Sequence, residues 1–205
     1  MKKENVVAVS HSMFNCSFCA NESKDQLKCT HCGYPLSNNI DYFNLFALKK
    51  QYQIDKSELY KSYLSLQQQF HPDKCYNKEA HNQLEAERVS TLINTAFNLL
   101  KNDRKRGEYL LSMQNIFVNS AQDNISPDSE LLSEIFAVSE TVSEIDDQQR
   151  IYLELDKAEE KILNYFSEFT TNIKQNNNIA AAQNLIAIRY YEKIITEIQH
   201  KLEQS

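Results

Sequence analysis

Glycine is nearly missing from this sequence: the 205 residues hold two, beside three prolines. So few turn formers leave helices joined by short connections as the expected architecture, and no Gly-rich phosphate loop is present. No apolar run is long enough to span a bilayer and there is no secretory h-region, so the chain is expected to be soluble and without a membrane partner. The N-terminus, MKKENVVAVSHSMF, has no arginine and an early Glu4, which makes a poor transit peptide and leaves the compartment open. A concentrated basic face is absent too. The formal charge is −6, and residues 114–205 carry seven basic against sixteen acidic side chains. That balance counts against a nucleic-acid partner. It favours a positively charged protein partner, although a solvated acidic helical face accounts for it equally well.

What is present begins with thiols. Four of the five cysteines, Cys16, Cys19, Cys29 and Cys32, read C-x2-C-x9-C-x2-C. Paired local spacing without a signal peptide reads as metal binding before disulfides. Four thiolates suit one tetrahedral, structural Zn2+, and the polar residues between the pairs are expected to form a small hairpin. A segment this short buries little core, so the metal would supply most of its folding free energy. A redox dithiol would leave the second pair unexplained, and a catalytic zinc would need an open position that four thiolates do not leave. Cys75 stands apart and reads as a small side chain.

From Asp41 the pattern turns helical. DYFNLFAL gathers Tyr42, Phe43, Leu45, Phe46 and Leu48 into one or two turns. IDKSEL follows with Asp55 as N-cap, Glu58 three residues on, and Ile54 placed to staple onto Leu59. Leu59, Tyr63, Leu66 and Phe70 then form one helical stripe, with Lys56, Tyr60, Lys61, Gln67 and Gln68 assigned to the opposite side. Pro72 ends this helix and biases His71 away from helical geometry. A second helix over about 78–101 turns Leu84, Val89, Leu92, Ile93, Ala96, Phe97 and Leu100 inward. The two make a helical hairpin with His71, Pro72 and Asp73 at its tip. Taken alone, the triplet reads either as a helix stop or as a functional loop. A catalytic His–Asp pair is disfavoured, because adjacent side chains split by proline do not readily hydrogen-bond as base and orienter. The only basic cluster, NDRKRG from Asn102, reads as a solvated helix end whose cations suit the helix dipole.

Beyond about residue 120, three amphipathic segments predict an antiparallel three-helix bundle. The first has Ser126 as N-cap and Pro127 at its first helical position, with Leu131, Leu132, Ile135, Val138, Val142 and Ile145 at helical spacing. The second, over 147–175, carries Ile151, Leu155, Ala158, Ile162, Phe166, Phe169 and Ile173, and Asn176 to Asn178 break it. The third presents Ala182, Leu185, Ile188, Ile195, Ile198 and Leu202. The first helix has more apolar surface than one face needs, and such a surplus is a candidate docking surface.

A helical hairpin with His-Pro-Asp at its tip resembles the J domain of DnaJ-type co-chaperones. DYFNLFAL before it, RGEYLL after it and the bundle that follows resemble the HscB branch, which serves iron–sulfur cluster assembly. The thiol-paired ribbon is similar to that of the eukaryotic members. The resemblance implies a mainly α protein in three parts: a four-cysteine zinc ribbon over 1–38, a J domain over 39–113 and a scaffold-binding bundle over 120–205. It further implies that His71, Pro72 and Asp73, with Lys56, Lys61 and Lys74 as basic contacts, engage a 70-kilodalton heat-shock chaperone and stimulate its ATPase. Leu131, Leu132, Ile135 and Tyr190 match the family's apolar contacts with an IscU-type scaffold. Phe136 and Ser139 stand where glutamates of that contact are expected, and Gln67 to Gln69 replace a more basic stretch.

The function expected on this basis is that of a co-chaperone and not an enzyme, mitochondrial by resemblance, with a cytoplasmic location as the alternative. A general J protein holding unfolded clients is one rival. A zinc-ribbon, nucleic-acid-associated chaperone recruiter is the other, against which the acidic C-terminal part and the missing aromatic–basic stripe both count.

Overall fold

The computed structural model describes residues 14–15, 22–23, 40–70, 80–118 and 125–204. They form two strands and seven helices, divided between two compact units, Met1–Lys101 and Asn102–Ser205.

In the first unit, β1 (Phe14–Asn15) and β2 (Glu22–Ser23) pair antiparallel, Phe14 opposite Ser23 and Asn15 opposite Glu22. The strands flank the first thiol pair in sequence, instead of falling between the two pairs as expected. Cys16, Cys19, Cys29 and Cys32 themselves lie outside the described residues. The helices are α1 (Tyr42–Leu45), α2 (Lys56–Phe70) and α3 (Ala80–Lys101). The Asp41 carboxylate accepts from the Phe43 amide at 2.9 Å and so starts α1. One turn later the helix stops: the Leu48 amide donates to the Phe43 carbonyl and the Ala47 amide to that of Asn44, with Ala47 at φ 55°. This is a Schellman ending with alanine in the left-handed position that glycine usually takes. Asp55 caps α2 as expected, accepting from the Ser57 and Glu58 amides at 2.8 and 3.2 Å. Leu59 and Phe70 of α2 are buried, with Val89, Ile93, Ala96 and Leu100 of α3 and Phe43, Leu45, Phe46 and Leu48 around α1. The stripe read from the sequence therefore faces the core. His71, Pro72, Asp73 and Lys74 lie outside the described residues.

The second unit holds α4 (Asp103–Ser112), α5 (Ser129–Glu144), α6 (Gln148–Lys174) and α7 (Asn178–Gln204). The expected three-helix bundle is present, and α4, which lies within the 39–113 segment expected to form the J domain, packs with it in the same compact unit. The Asn102 side chain accepts from the Lys105 amide at 2.9 Å and starts α4 as a separate helix, which packs on α7. A Cβ at Gly107 would stand 2.9 Å from Cζ of Phe169 and 3.1 Å from Cδ2 of Leu185, so the missing side chain lets α4 approach that closely. The basic cluster is consequently not a solvated helix end. Arg106 is buried and pairs with Asp103, while Arg104 bridges Glu108 and Glu192.

Helix α7 is the centre of this unit. Ala181, Ala182, Leu185, Ile186, Ala187 and Ile188 are all buried, so α7 is enclosed on every side there, and α4, α5 and α6 each pack on it. Helix α5 begins two residues later than expected, with Asp128 as N-cap accepting from the Leu131 amide at 2.7 Å. Asp147 caps α6. The asparagine run then does two tasks. Asn176, at φ 57°, closes α6 in a Schellman ending, and Asn177 accepts from the Ala180 amide to open α7.

Candidate functional site

Helices α5 and α7 run parallel, and their hydrogen bonds keep nearly one register. Gln183 donates to the Ser126 carbonyl and Tyr191 to Glu134, both 57 residues apart, and Ser139 to Glu197, 58 apart. Lys201 finishes the seam by donating to the Val142 and Ser143 carbonyls at 2.8 and 2.7 Å, satisfying orphan acceptors at the end of α5. Helix α6 returns antiparallel, and its buried polar contact with α7 runs through Asn184, which donates to Glu168 and accepts from Asn172.

Glu134 ties three helices together. Its Oε1 accepts from Lys161 of α6 at 2.6 Å and from the Tyr191 hydroxyl of α7 at 2.9 Å. The Lys161 hydrogen bond holds the carboxyl below the ordinary carboxylate range, against the opposing effect of burial, and the Tyr191 hydrogen bond adds to the lowering. Burial raises the Tyr191 hydroxyl well above its usual value, and the hydrogen bond to Glu134 and its charge push in the same direction.

With Glu134 held inward, the apolar residues expected on one face of α5 divide between core and surface. Leu131 is only 6 % exposed and belongs to the core, and Ile135 is half-buried. The outward pair is Leu132, 42 % exposed, and Phe136, 70 % exposed, one helical turn apart. At the seam's register they stand level with Arg189 and Lys193 of α7. Tyr190 of α7 is half-buried, with the Lys193 ammonium 5.6 Å from its ring centroid. Ser139 lies on the same flank, held by Glu197. Glu140, exposed and four residues after Phe136, continues the outward line with a negative charge. Phe136, which stands where the resemblance leads one to expect a glutamate, is the most exposed of these apolar side chains, and Glu140 and Lys193 carry no sequence signal of their own. The i, i+4 spacing of Leu132 and Phe136 was the available signal, but two adjacent leucines left the register of the face ambiguous.

In the first unit, Lys56 and Lys61 are exposed on α2 as expected. Gln67 is not on the opposite side from the core stripe: its amide and the Tyr63 hydroxyl both donate to Oδ1 of Asn94 on α3, at 2.7 and 2.9 Å. No helix among the described residues is long and apolar enough to cross a membrane.

Comparison with known proteins agrees with this anatomy. The family profile described as the HSCB C-terminal oligomerisation domain matches residues 127–199, which run from just before α5 into α7. The co-chaperone protein HscB homolog of Colwellia psychrerythraea is 30 % identical over 172 residues, spanning 81 % of this chain and 98 % of that protein. The chain belongs to the HscB co-chaperone family. An HscB homolog from Arabidopsis thaliana, named as an iron–sulfur cluster co-chaperone, is 28 % identical over 96 % of this chain and 77 % of its own length. The crystal structure of the human co-chaperone HscB shares the fold, with a TM-score of 0.80 over 91 % of this chain and 98 % of that one, at 24 % identity.

Proposed function

We propose that this HscB-family chain is a non-enzymatic co-chaperone. Its C-terminal unit would hold an IscU-type iron–sulfur scaffold, and its J-domain hairpin would deliver that scaffold to a 70-kilodalton heat-shock chaperone and stimulate the chaperone's ATPase. The observation that carries the reading is the outward Leu132–Phe136 pair, two exposed apolar side chains one helical turn apart. Covering two such side chains supplies roughly 1.5–3 kcal/mol each at most, and they begin half-exposed, so a transient complex is the natural outcome. Glu140 would speed encounter with a basic partner. Tethering the scaffold to the J domain raises its effective concentration at the chaperone, which links hydrolysis to cluster release without chemistry by this chain's own residues.

The triplet His71, Pro72 and Asp73, with Lys56, Lys61 and Lys74, is the proposed chaperone contact. Cys16, Cys19, Cys29 and Cys32 offer four thiolates in two C-x2-C pairs, a donor set that fits one structural zinc. We place the protein in the mitochondrion by the likeness of its ribbon-bearing layout to eukaryotic members, and a fluorescent fusion tests that location. The decisive experiment pairs a pull-down of purified scaffold with steady-state ATPase measurements. His71→Gln should abolish stimulation while scaffold binding persists. Unchanged stimulation by that variant would overturn the J-domain assignment, and failure of the wild-type chain to retain the scaffold would overturn the delivery role.

A further inference from the structure

Helix α6 turns a second apolar surface outward, on a different flank from the one that meets α5. Leu163 is 68 % exposed, Leu153 52 % and Tyr152 51 %. At 3.6 residues per turn, Tyr152, Asp156 and Leu163 fall within about 40° of one another, and Glu160 and Leu153 widen the face to about 100°. This face stands opposite the buried stripe of Ile151, Ala158 and Phe169. Lys161, which reaches Glu134 of α5, projects about 80° beyond its edge. With 1.5 Å of rise per residue the strip runs roughly 16 Å from Tyr152 to Leu163, about three turns of helix.

Carboxylates are set among these apolar groups. Asp156 stands four residues after Tyr152 and three after Leu153, and Glu159 and Glu160 stand four and three before Leu163. At those spacings side chains are neighbours on a helix surface, so each apolar group of the strip has an acid beside it. The lysines that flank the strip are turned elsewhere, Lys157 to Glu154 and Lys161 to Glu134. Asp156 is also three and four residues from Glu159 and Glu160, where like charges oppose helix formation. A cation laid over the strip would relieve that repulsion while apolar surface is covered.

Charge decides between the candidate occupants. A second copy laid antiparallel, with Tyr152 on Leu163, would bring Asp156 against Glu159 at the centre of the contact. Laid parallel, it would set Asp156 against Asp156. An anionic lipid surface would be repelled by the same carboxylates. A helix with apolar side chains on one face and Lys or Arg beside them matches both the apolar and the acidic groups. We infer that the outward face of α6 docks a basic amphipathic helix of a partner protein, at a surface separate from the Leu132–Phe136 flank of α5. The two surfaces lie on different helices, so both can be occupied at once, and the inference stands independently of the scaffold and J-domain readings.

The test uses the full chain and, as probe, a fluorescent amphipathic peptide of leucine and lysine of about 14 residues, roughly 20 Å long as a helix, followed by anisotropy. The wild-type chain should bind it at micromolar concentration, and a peptide with glutamate in place of lysine should not bind. Leu153→Ser with Leu163→Ser should weaken binding about tenfold or more. Asp156→Asn with Glu160→Gln should weaken it about threefold or more at about 50 mM salt, and should remove most of the loss that wild type shows on going to about 300 mM. Leu163→Met should bind as wild type does, and so should Leu132→Ser with Phe136→Ser. Failure of the wild-type chain to bind, undiminished binding by the Leu153 and Leu163 double variant, or a loss confined to the Leu132 and Phe136 double variant overturns the inference. A concentration-dependent dimer in sedimentation that Leu163→Ser dissolves would make the occupant a second copy. Capture by phosphatidylserine vesicles that Leu163→Ser abolishes would make it a lipid surface. Either result overturns the basic helix as occupant.

Discussion

The Tyr191 hydroxyl and the Glu134 carboxylate meet at 2.9 Å across the seam between α7 and α5, and Lys161 of α6 closes on the same oxygen. One acidic oxygen thereby holds three helices at one level of the bundle. Because Glu134 points inward, the flank of α5 roughly opposite it, with Leu132 and Phe136, points out.

That knot gives the second unit two pH limits. Glu134 titrates lower when folded, so its contribution is complete above the ordinary carboxylate value of about 4.3 and is lost as pH falls through its lower folded-state value. Tyr191 titrates higher when folded, so its contribution is complete below about pH 10 and is lost as pH climbs beyond that value. Lys161, also raised, adds to the alkaline loss in the same sense. Thermal midpoints followed by circular dichroism from about pH 3 to about pH 11 should show a flatter acid limb in Glu134→Gln and a flatter alkaline limb in Tyr191→Phe.

The neighbouring leucines of α5 should separate cleanly. Leu131→Ala leaves a cavity and should cost about 2–5 kcal/mol of stability, read by urea denaturation. Leu132→Ala with Phe136→Ala should leave the midpoint within about 0.5 kcal/mol of wild type per site and weaken scaffold capture. If the double variant unfolds and Leu131→Ala does not, the assigned facing of α5 is wrong.

Gly107→Ala poses a direct contest. Alanine favours a helix over glycine by about 1 kcal/mol. The added methyl, however, would press on the buried ring of Phe169 at 2.9 Å and on Leu185. Overpacking of this kind typically costs about 1–3 kcal/mol, so the variant should melt lower, and a higher midpoint would mean that α4 is not seated as described.

Ala47 should show the opposite sign. Its φ of 55° strains an L side chain, and it is exposed, so nothing is lost by trimming it. Ala47→Gly should therefore stabilise the first unit by up to about 1 kcal/mol, the relief of left-handed strain outweighing the extra freedom of the unfolded chain. Denaturant titration decides between that gain and a loss.

For the ribbon, metal analysis should find about one zinc per chain. Chelation, or Cys29→Ser with Cys32→Ser, should remove it while the helical signal of the second unit persists. A zinc-free protein with all four thiols reduced and reactive would refute the site.

Much of this was legible in the chain. Asp55 and Asp147 announce helix starts through short polar side chains, and Leu59, Tyr63, Leu66 and Phe70 give a single inward stripe. What sequence left open was decided by partners far along the chain. Leu131 and Leu132 are chemically alike, and only the α7 seam says which is covered. Gln67 reads as solvated until Asn94 of α3 stands opposite. Arg106 and Gly107 read as a basic helix end, because neither Phe169 nor Leu185 is near them in sequence. The stop of α1 was obscured for a different reason: with glycine so scarce, alanine occupies the left-handed position, whereas the asparagine run that ends α6 was legible.

The enclosure of α7 has a consequence for how the protein is made. Helices α4, α5 and α6 all precede it in the chain, and each packs on its buried surface. Synthesis proceeds from the N-terminus at roughly 5–20 residues per second, so three helices leave the ribosome before the one that joins them. Until residues 178–204 emerge, Ile151, Phe169 and Leu111 have no central helix to cover them. A nascent chain paused before that point would be a client of the cell's folding machinery in its own right.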